Sequence, residues 1–198
     1  DNPNLLRAIA EDGNDIGSHS YLHKPMAVRD KITNKQKPIQ TKAEYIKDAE
    51  TAYKILESVT GDVTYEGKPV LTRFFRPPTL AISKMGVEVI FSHGYQFIVA
   101  GFGSTEDYEV VSTEQLVNRI RDEVYAKDKV RKGAIVVMHM SDSAQYTAHA
   151  LDAILTANER RSDDDPGKFI PAKLSDYLVE AYDQASPKKS LALENARG

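Results

Sequence analysis

The chain has 198 residues and a formal net charge of −3, from 26 basic and 29 acidic residues. This length is sufficient for a domain with a sizeable core, and the charge balance offers no polybasic footprint for nucleic acid or for an anionic membrane surface. The absence of cysteine excludes disulfides and thiolate ligands, and the absence of an apolar run of about 18 residues predicts no membrane span.

The N-terminal stretch predicts a helix, a short strand and a loop. Asn2 and Pro3 have the residue types of an N-cap and a first helical position, and Gly13 ends that helix. Asp15–Gly17 follows as a short strand. Residues 24–40 are rich in Lys, Asn, Gln and Pro, which predicts a long surface loop, either a solvated excursion or the rim of a substrate cleft.

The middle of the chain predicts a long helix and then a strand. Thr41 and Glu44 form a capping box, and Gly61 provides the helix end. The strand Val70–Phe75 runs directly into an Arg-Pro-Pro sequence, and a short helix over Ile82–Ser92 follows.

The second half of the chain continues the alternation of strands and helices. We predict strands at Tyr95–Ala100, Ala134–Met138 and Lys168–Ile170, and helices starting at Ser112 and at about Ala144. The strand Ala134–Met138 is the most apolar run of the chain, which indicates burial on both faces. The inward positions of the helix capped by Ser112 are Leu116, Ile120 and Val124.

Polar residues follow four of the predicted strands. Alternating strands and helices predict a parallel sheet covered by helices, as an open sheet or a barrel, and chemistry in such folds gathers where the strands end. His19 and His23 follow the first strand, Arg76 the second, Asp107 the third and His139 the fourth. We therefore expect these residues to be functional. Simpler roles remain open: a rim ion pair for Arg76, a loop cap for Asp107 and a core position for His139.

The two histidines of the first loop suit a metal ion. Their spacing of four residues, on a helical turn or on a loop entering a helix, places both imidazoles on one side of the backbone. Imidazole is the commonest protein ligand for zinc and related metals. The pair could supply two of the three protein ligands of a catalytic site.

Five motifs in chain order resemble the polysaccharide deacetylases of carbohydrate esterase family four, which share the NodB homology domain. The stretch from Asn2 to Gly17 is similar to the helix and strand before the family's metal motif. Three further stretches match family motifs: His19-Ser20-Tyr21-Leu22-His23 matches H-(S/T)-x-x-H, Phe75-Arg76-Pro77-Pro78 matches R-x-P, and Val137-Met138-His139 matches L-x-H. The stretch Ser104-Thr105-Glu106-Asp107-Tyr108 stands where the family often has D-x-x-D-W, with Ser104 in place of the first acidic residue and Tyr108 in place of Trp.

The resemblance implies a distorted (β/α)7 barrel, TIM-like, over residues 1–198, and metal-dependent removal of acetyl groups from a polysaccharide. His19 and His23 would bind a divalent metal, most simply zinc, with cobalt and nickel as alternatives. His139 would be the general acid. Arg76 would orient the catalytic base. Asp107 would hold Arg76 or tune His139.

The same resemblance implies contacts with the substrate. Val137 would line the pocket for the acetyl methyl, and the backbone N–H of Thr79 would contribute to an oxyanion hole. Pro77 and Tyr108 would also contact substrate, with Tyr108 standing where the family has Trp.

One part of the family pattern is not found in this sequence. The motif T-F-D-D-G carries the catalytic base and the third metal ligand, and no Asp-Asp-Gly follows an apolar strand here. The barrel would thus lack its first βα unit, which would leave the strand near Asp15 with an unpaired edge. We expect an upstream segment of the same protein to supply this unit, as part of the chain or as a separate polypeptide.

Three functions are compatible with these residues. The first is N-deacetylation of N-acetylglucosamine units in peptidoglycan or a related glycan, by a secreted, periplasmic or envelope-associated protein as the resemblance implies. The second is O-deacetylation of a polysaccharide such as xylan. The third is a catalytically inactive barrel that binds carbohydrate.

Overall fold

A computed structural model describes residues 2–99, 103–127 and 129–177. The chain forms two compact units. Of the described residues, the first unit comprises 2–99 and 172–177, and the second comprises 103–127 and 129–171.

The first unit is built of helices and short strands. In chain order its elements are α1 (Pro3–Glu11), β1 (Ile16–Ser18), β2 (Ala27–Arg29), β3 (Gln36–Pro38), α2 (Lys42–Thr60), β4 (Thr64–Tyr65), β5 (Lys68–Pro69), β6 (Leu71–Phe75), α3 (Lys84–Ser92) and β7 (Phe97–Ile98). Short 3-10 turns lie at Pro78–Leu80 and Leu174–Tyr177.

A parallel three-stranded sheet, in the order β1-β6-β7, lies at the centre of this unit. In the β1–β6 pair Ile16 lies opposite Leu71, and in the β6–β7 pair Phe75 lies opposite Ile98. Gly17 lies where a Cβ would come 3.2 Å from the carbonyl oxygen of Phe74, so a larger residue would push β1 away from β6. Because the strands are parallel, the loops after β1 and β6 leave the sheet at the same edge.

Helix α2 begins as the sequence predicts. The Thr41 hydroxyl accepts from the Glu44 N–H at 3.2 Å, and the Glu44 carboxylate accepts from the Thr41 N–H at 2.8 Å. Its buried face contributes to a core with the sheet and α3. That core comprises Met26, Tyr45, Ala49, Phe75, Val89, Ile90 and Tyr95.

The second unit pairs helices with short strands. Its elements are β8 (Gly103–Ser104), α4 (Thr113–Val124), β9 (Tyr125–Ala126), β10 (Lys129–Val130), β11 (Val136–Val137) and α5 (Thr147–Glu159). Strands β8 and β11 are parallel, and α4 packs on α5. The predicted inward residues of α4 are confirmed as core residues, because Leu116, Ile120 and Val124 are all buried.

The prediction of a long surface loop at residues 24–40 is wrong, because β2 and β3 form an antiparallel hairpin there. Asp30 closes its turn by accepting from the N–H groups of Ile32 and Thr33 at 2.9 and 2.7 Å. Apart from Ala27, the residues of its two strands are exposed. Its strands therefore lack the apolar alternation that marks a half-buried strand.

Two strands predicted for the second half also differ. The run Ala134–Met138 contains only the two-residue strand β11, because a turn at Gly133 continues to Ala134, whose N–H bonds to the Arg131 carbonyl at 3.2 Å. No strand forms at Lys168–Ile170. Instead, the side-chain amide of Asn158 bonds both the N–H and the carbonyl of Phe169. The strand predicted at Tyr95–Ala100 is represented by β7, which covers Phe97–Ile98. Ala100 lies outside the described residues.

The α/β class with parallel strands and covering helices is confirmed. In the part of the chain that the structure describes, however, the strands belong to separate sheets and do not close into a barrel. Among the helices of these residues, none is long and apolar enough to cross a membrane.

Candidate active site

The two histidines of the first unit lie side by side on a tight loop after β1. The rings of His19 and His23 are 4.9 Å apart between centroids and stand edge to face at 75°. The loop is not helical, because Ser20 and His23 have φ angles of +69° and +53°. Side chains other than glycine adopt this left-handed region at a cost, so the surrounding contacts must hold the loop in place.

The ring of His19 is oriented by the neighbouring strand. Its Nδ1 lies 2.8 Å from the carbonyl oxygen of Arg76, at the end of β6. A carbonyl oxygen only accepts, so Nδ1 carries the proton and the neutral ring has its lone pair on Nε2. This is the usual arrangement for a metal-binding histidine. The N–H of Arg76 in turn donates to the carbonyl of Ser18 at 2.9 Å.

The loop between the histidines is held by two side chains. The carboxylate of Asp48, on α2, accepts from the N–H groups of Tyr21 at 3.1 Å and Leu22 at 2.8 Å. The Ser20 hydroxyl accepts from the N–H of His23 at 2.9 Å. Sequence analysis missed Asp48. The available signal was its position on the helix face of Tyr45, Ala49 and Ala52, where a carboxylate is unexpected.

The Arg-Pro-Pro stretch follows β6 at the same edge of the sheet. Arg76 is half-buried, Pro77 and Pro78 are buried, and Thr79 and Leu80 are exposed. The φ angles of Thr79 and Leu80 are +56° and +55°. Two consecutive residues in the left-handed region make a sharp turn here, and strained backbone of this kind concentrates at functional sites.

A second cluster, within the second unit, joins Asp107 to His139. One oxygen of the fully buried Asp107 carboxylate lies 2.6 Å from the Nδ1 of His139. The other accepts from the His139 N–H and from the Thr147 hydroxyl, both at 2.7 Å. Of the two roles expected for Asp107, this geometry matches the tuning of His139. Sequence analysis did not identify Thr147.

The charge of Asp107 is maintained by its hydrogen bonds. Burial raises the pKa of this carboxyl, but the hydrogen bonds from His139 and Thr147 outweigh burial and hold the pKa below its usual value. The ionised carboxylate fixes Nδ1 as the protonated nitrogen of His139. The Nε2 of His139 is thus the atom available for proton transfer.

Two more predicted residues lie beside this pair. The ring of Tyr108 stands edge to face with His139, with 5.2 Å between centroids, and Tyr108 is 43% exposed. Val137 is only 3% exposed, and its carbonyl accepts from both the N–H and the hydroxyl of Thr105. Val137 therefore fixes the end of β11, two residues before His139.

The histidine pair fits two positions of a metal site. The orientation of His19 and the proximity of His23 suit nitrogen ligands on one side of an ion. Within residues 2–99, 103–127 and 129–177, no group of three or more His, Asp or Glu side chains is placed to hold a metal ion. A third protein ligand must therefore come from elsewhere if the pair is to form a three-ligand site.

A cavity of about 450 Å³ lies between α2 and α3 of the first unit. It is lined by Ala43, Ile46 and Val89, with Lys42, Glu88, Ser92 and His93 completing the lining. None of the predicted site residues contributes to it. The cavity therefore does not support the assignment of the predicted residues to an active site.

Comparison with known proteins supports a family relationship. Residues 1–98 match the family model described as polysaccharide deacetylase. No significant match was found among curated proteins.

Solved structures with a similar fold share 20–22% sequence identity with this chain. One is a CE4 family pseudoenzyme from Bacillus anthracis (22% identity, TM-score 0.58, covering 79% of this chain and 45% of that one). Another is a peptidoglycan N-acetylglucosamine deacetylase (20% identity, TM-score 0.60, covering 79% of this chain and 62% of that one). A third is a family 4 acetyl xylan esterase from Clostridium thermocellum, in complex with a cobalt ion (21% identity, TM-score 0.57, covering 81% of this chain and 65% of that one). The chain thus spans about half to two thirds of their lengths.

Proposed function

We propose that this chain, which belongs through residues 1–98 to the polysaccharide deacetylase family, is the larger part of a metal-dependent hydrolase that removes acetyl groups from a polysaccharide. The observation that carries the proposal is the ring of His19, which the Arg76 carbonyl orients through Nδ1 and which has His23 beside it. A histidine whose tautomer is fixed by a backbone carbonyl, with a second histidine beside it, is suited to metal binding.

His19 and His23 would hold the metal, with zinc as the first choice and cobalt or nickel as alternatives. When bound, such an ion polarises the acetyl carbonyl and lowers the pKa of water. An upstream segment of the same protein would provide the third ligand and the general base, and would complete a distorted (β/α)7 barrel. The chain's own contribution is to fix the two imidazoles before the metal arrives.

His139 would act as the general acid. With Nδ1 held by Asp107, an imidazolium at His139 can transfer only its Nε2 proton, which would go to the leaving nitrogen of the sugar. Asp107 would therefore be the group that keeps His139 oriented.

The remaining predicted residues would bind and orient the substrate. Arg76 would orient the base of the upstream segment, and the backbone N–H of Thr79 would stabilise charge on the acetyl oxygen. Tyr108 would contact the sugar, because its half-exposed ring offers both an apolar face and a hydroxyl. Pro77 stays a predicted substrate contact, although its side chain is buried in the described part of the chain. Val137 would shape the methyl pocket.

The proposed substrate is an N-acetylglucosamine-containing glycan such as peptidoglycan, which would place the protein outside the cytoplasm. An O-acetylated polysaccharide such as xylan is the alternative within the same chemistry. The two substrates differ in the leaving group, a nitrogen or an oxygen. Their acetate-release rates should be compared directly.

The test combines metal content with acetate release. The protein with its upstream segment is supplied with zinc, cobalt or nickel and assayed on acetylated chitooligosaccharides and on acetylated xylan. We expect His19→Ala to lose metal binding and acetate release, while His149→Ala, at an exposed position of α5, retains both. Acetate release that survives in His19→Ala or in the presence of a chelator would contradict the proposal.

A second candidate is an inactive carbohydrate-binding barrel. It is favoured by the absence, in the described part of the chain, of a three-residue metal site. This candidate predicts glycan binding without acetate release, even when the upstream segment and the metal are supplied. Intact mass of the natural protein would show whether that segment accompanies the chain.

A further inference from the structure

The loop between His19 and His23 has little apolar anchoring of its own. Tyr21 is 58% exposed and Leu22 is 65% exposed, and His23 is also exposed. Side-chain burial therefore contributes little to holding these residues. The loop nevertheless contains two residues in the left-handed region, a conformation that requires external support.

The support comes from the buried carboxylate of Asp48. This side chain is 5% exposed, and its two oxygens accept separately from the N–H groups of Tyr21 and Leu22. Burying a carboxylate is costly unless it is hydrogen-bonded. Hydrogen bonds to a charged acceptor are among the stronger ones in proteins. The two bonds thus both compensate the buried charge and fix the loop.

The position of Asp48 connects the loop to the rigid part of the first unit. It lies on α2 between Tyr45 and Ala49, which are both fully buried in the core against Phe75. Phe75 is the last residue of β6 and precedes Arg76, whose carbonyl orients His19. The core therefore fixes α2 and the end of β6. Asp48 lies on α2 and Arg76 directly follows β6, and these two residues hold the histidine loop.

We propose that Asp48 is a positioning residue for the histidine pair: its carboxylate sets the backbone between His19 and His23 so that both rings meet a metal ion without rearrangement. This inference rests on the proposed metal-dependent function. Asp48 itself contacts neither metal nor substrate in this proposal. Its effect is exerted through the N–H groups of Tyr21 and Leu22.

The isosteric variant Asp48→Asn tests this role. Asparagine has one acceptor oxygen, and its amide group would face the other N–H, so at least one of the two bonds is lost. Glu57→Gln, at an exposed position of the same helix, is the matched control because it removes the same charge. Circular dichroism establishes that both variants fold.

The first readout is hydrogen exchange of the metal-free chain by NMR. In the wild-type chain the amides of Tyr21 and Leu22 should exchange at least about 10-fold more slowly than an unstructured peptide, despite their exposed side chains. Asp48→Asn should remove this protection, and Glu57→Gln should retain it. Unprotected amides in the wild type overturn the inference without any variant.

The second readout is the affinity for zinc or cobalt by calorimetry. Asp48→Asn should weaken binding by about 10- to 100-fold, as is typical for groups that orient metal ligands. Unchanged affinity together with faster exchange would overturn the positioning role. If the wild-type chain with its upstream segment binds no metal, the proposed function fails, and the exchange rates alone decide whether Asp48 fixes the loop.

Discussion

Asp107 shows how single residues shape the second cluster. Its carboxylate is inaccessible to water yet receives three hydrogen bonds of 2.6 to 2.7 Å, two from His139 and one from Thr147. These donors replace the hydration that burial removes. Loss of any one of them leaves a buried charge partly uncompensated, which is costly in free energy. Thr147 therefore contributes to the site through Asp107.

The variant Thr147→Val tests this contribution, because valine keeps the shape and removes the hydroxyl. We expect the free energy of unfolding to fall by about 2 kcal/mol, within the range for hydrogen bonds to charged groups. The pKa of Asp107 should rise, since one of the bonds that lower it is lost. Urea unfolding and an NMR titration of the carboxyl measure the two effects. Thr147→Ser keeps the hydroxyl and should resemble wild type; a Thr147→Val chain with an unaltered carboxyl titration would refute the argument.

Elements whose signals are local could be predicted from the sequence. The N-cap of α1 at Asn2, the capping box of α2 and the buried stripe of α4 are confirmed, because each depends on residues within one or two turns. The hairpin of β2 and β3 was missed because its strands are mostly exposed and lack an apolar alternation. Asp48 was missed for a different reason, since its partners lie 26 and 27 residues away in the chain.

Helix α2 allows a test of how much its capping box contributes to the stability of the fold. Thr41→Ala removes the hydroxyl that caps the Glu44 N–H, and we expect a loss of about 1 kcal/mol in the free energy of unfolding. Thr51→Ala is the matched control. The Thr51 hydroxyl bonds only the Lys47 carbonyl within the helix, and alanine has the higher helix propensity. Equal urea midpoints for the two variants would show that the capping box does not stabilise the helix.

At the scale of the whole molecule, the α/β class predicted from the sequence is confirmed, whereas the functional role of the residues at the strand ends stays a prediction. The adjacency of β1 and β6 brings the loop of His19 next to Arg76, as strand-end placement predicts. Barrel closure depends on long-range strand pairing that no local pattern encodes. The strands of the described residues form separate sheets, so the barrel remains a prediction tied to the proposed upstream segment.

The carboxylates of the molecule also predict how its stability depends on pH. Hydrogen bonds and ion pairs hold six pKa values in the described residues below their usual range, at Asp30, Glu44, Asp62, Asp107, Asp163 and Asp165. A lowered pKa in the folded state means that the unfolded chain binds more protons in acid. The stabilisation is therefore fully present above the unfolded value of about 4 and is lost as the pH falls through the folded value.

Among these groups Asp107 is the fully buried one, so solvent screens the hydrogen bonds that lower its pKa least, and we expect it to make the largest contribution to the acid sensitivity. We expect the thermal midpoint of the wild-type chain to fall steeply below about pH 4, and Asp107→Asn, although less stable at pH 7, to show a shallower dependence. Asp62→Asn is the control. Asp62 pairs with Arg7 at an exposed position, where solvent screens the interaction, and its removal should leave the slope nearly unchanged. Thermal unfolding by circular dichroism between pH 3 and pH 7 compares the three chains. If the thermal midpoints of wild type and Asp107→Asn fall in parallel with pH, the buried carboxylate is not a main source of the acid sensitivity.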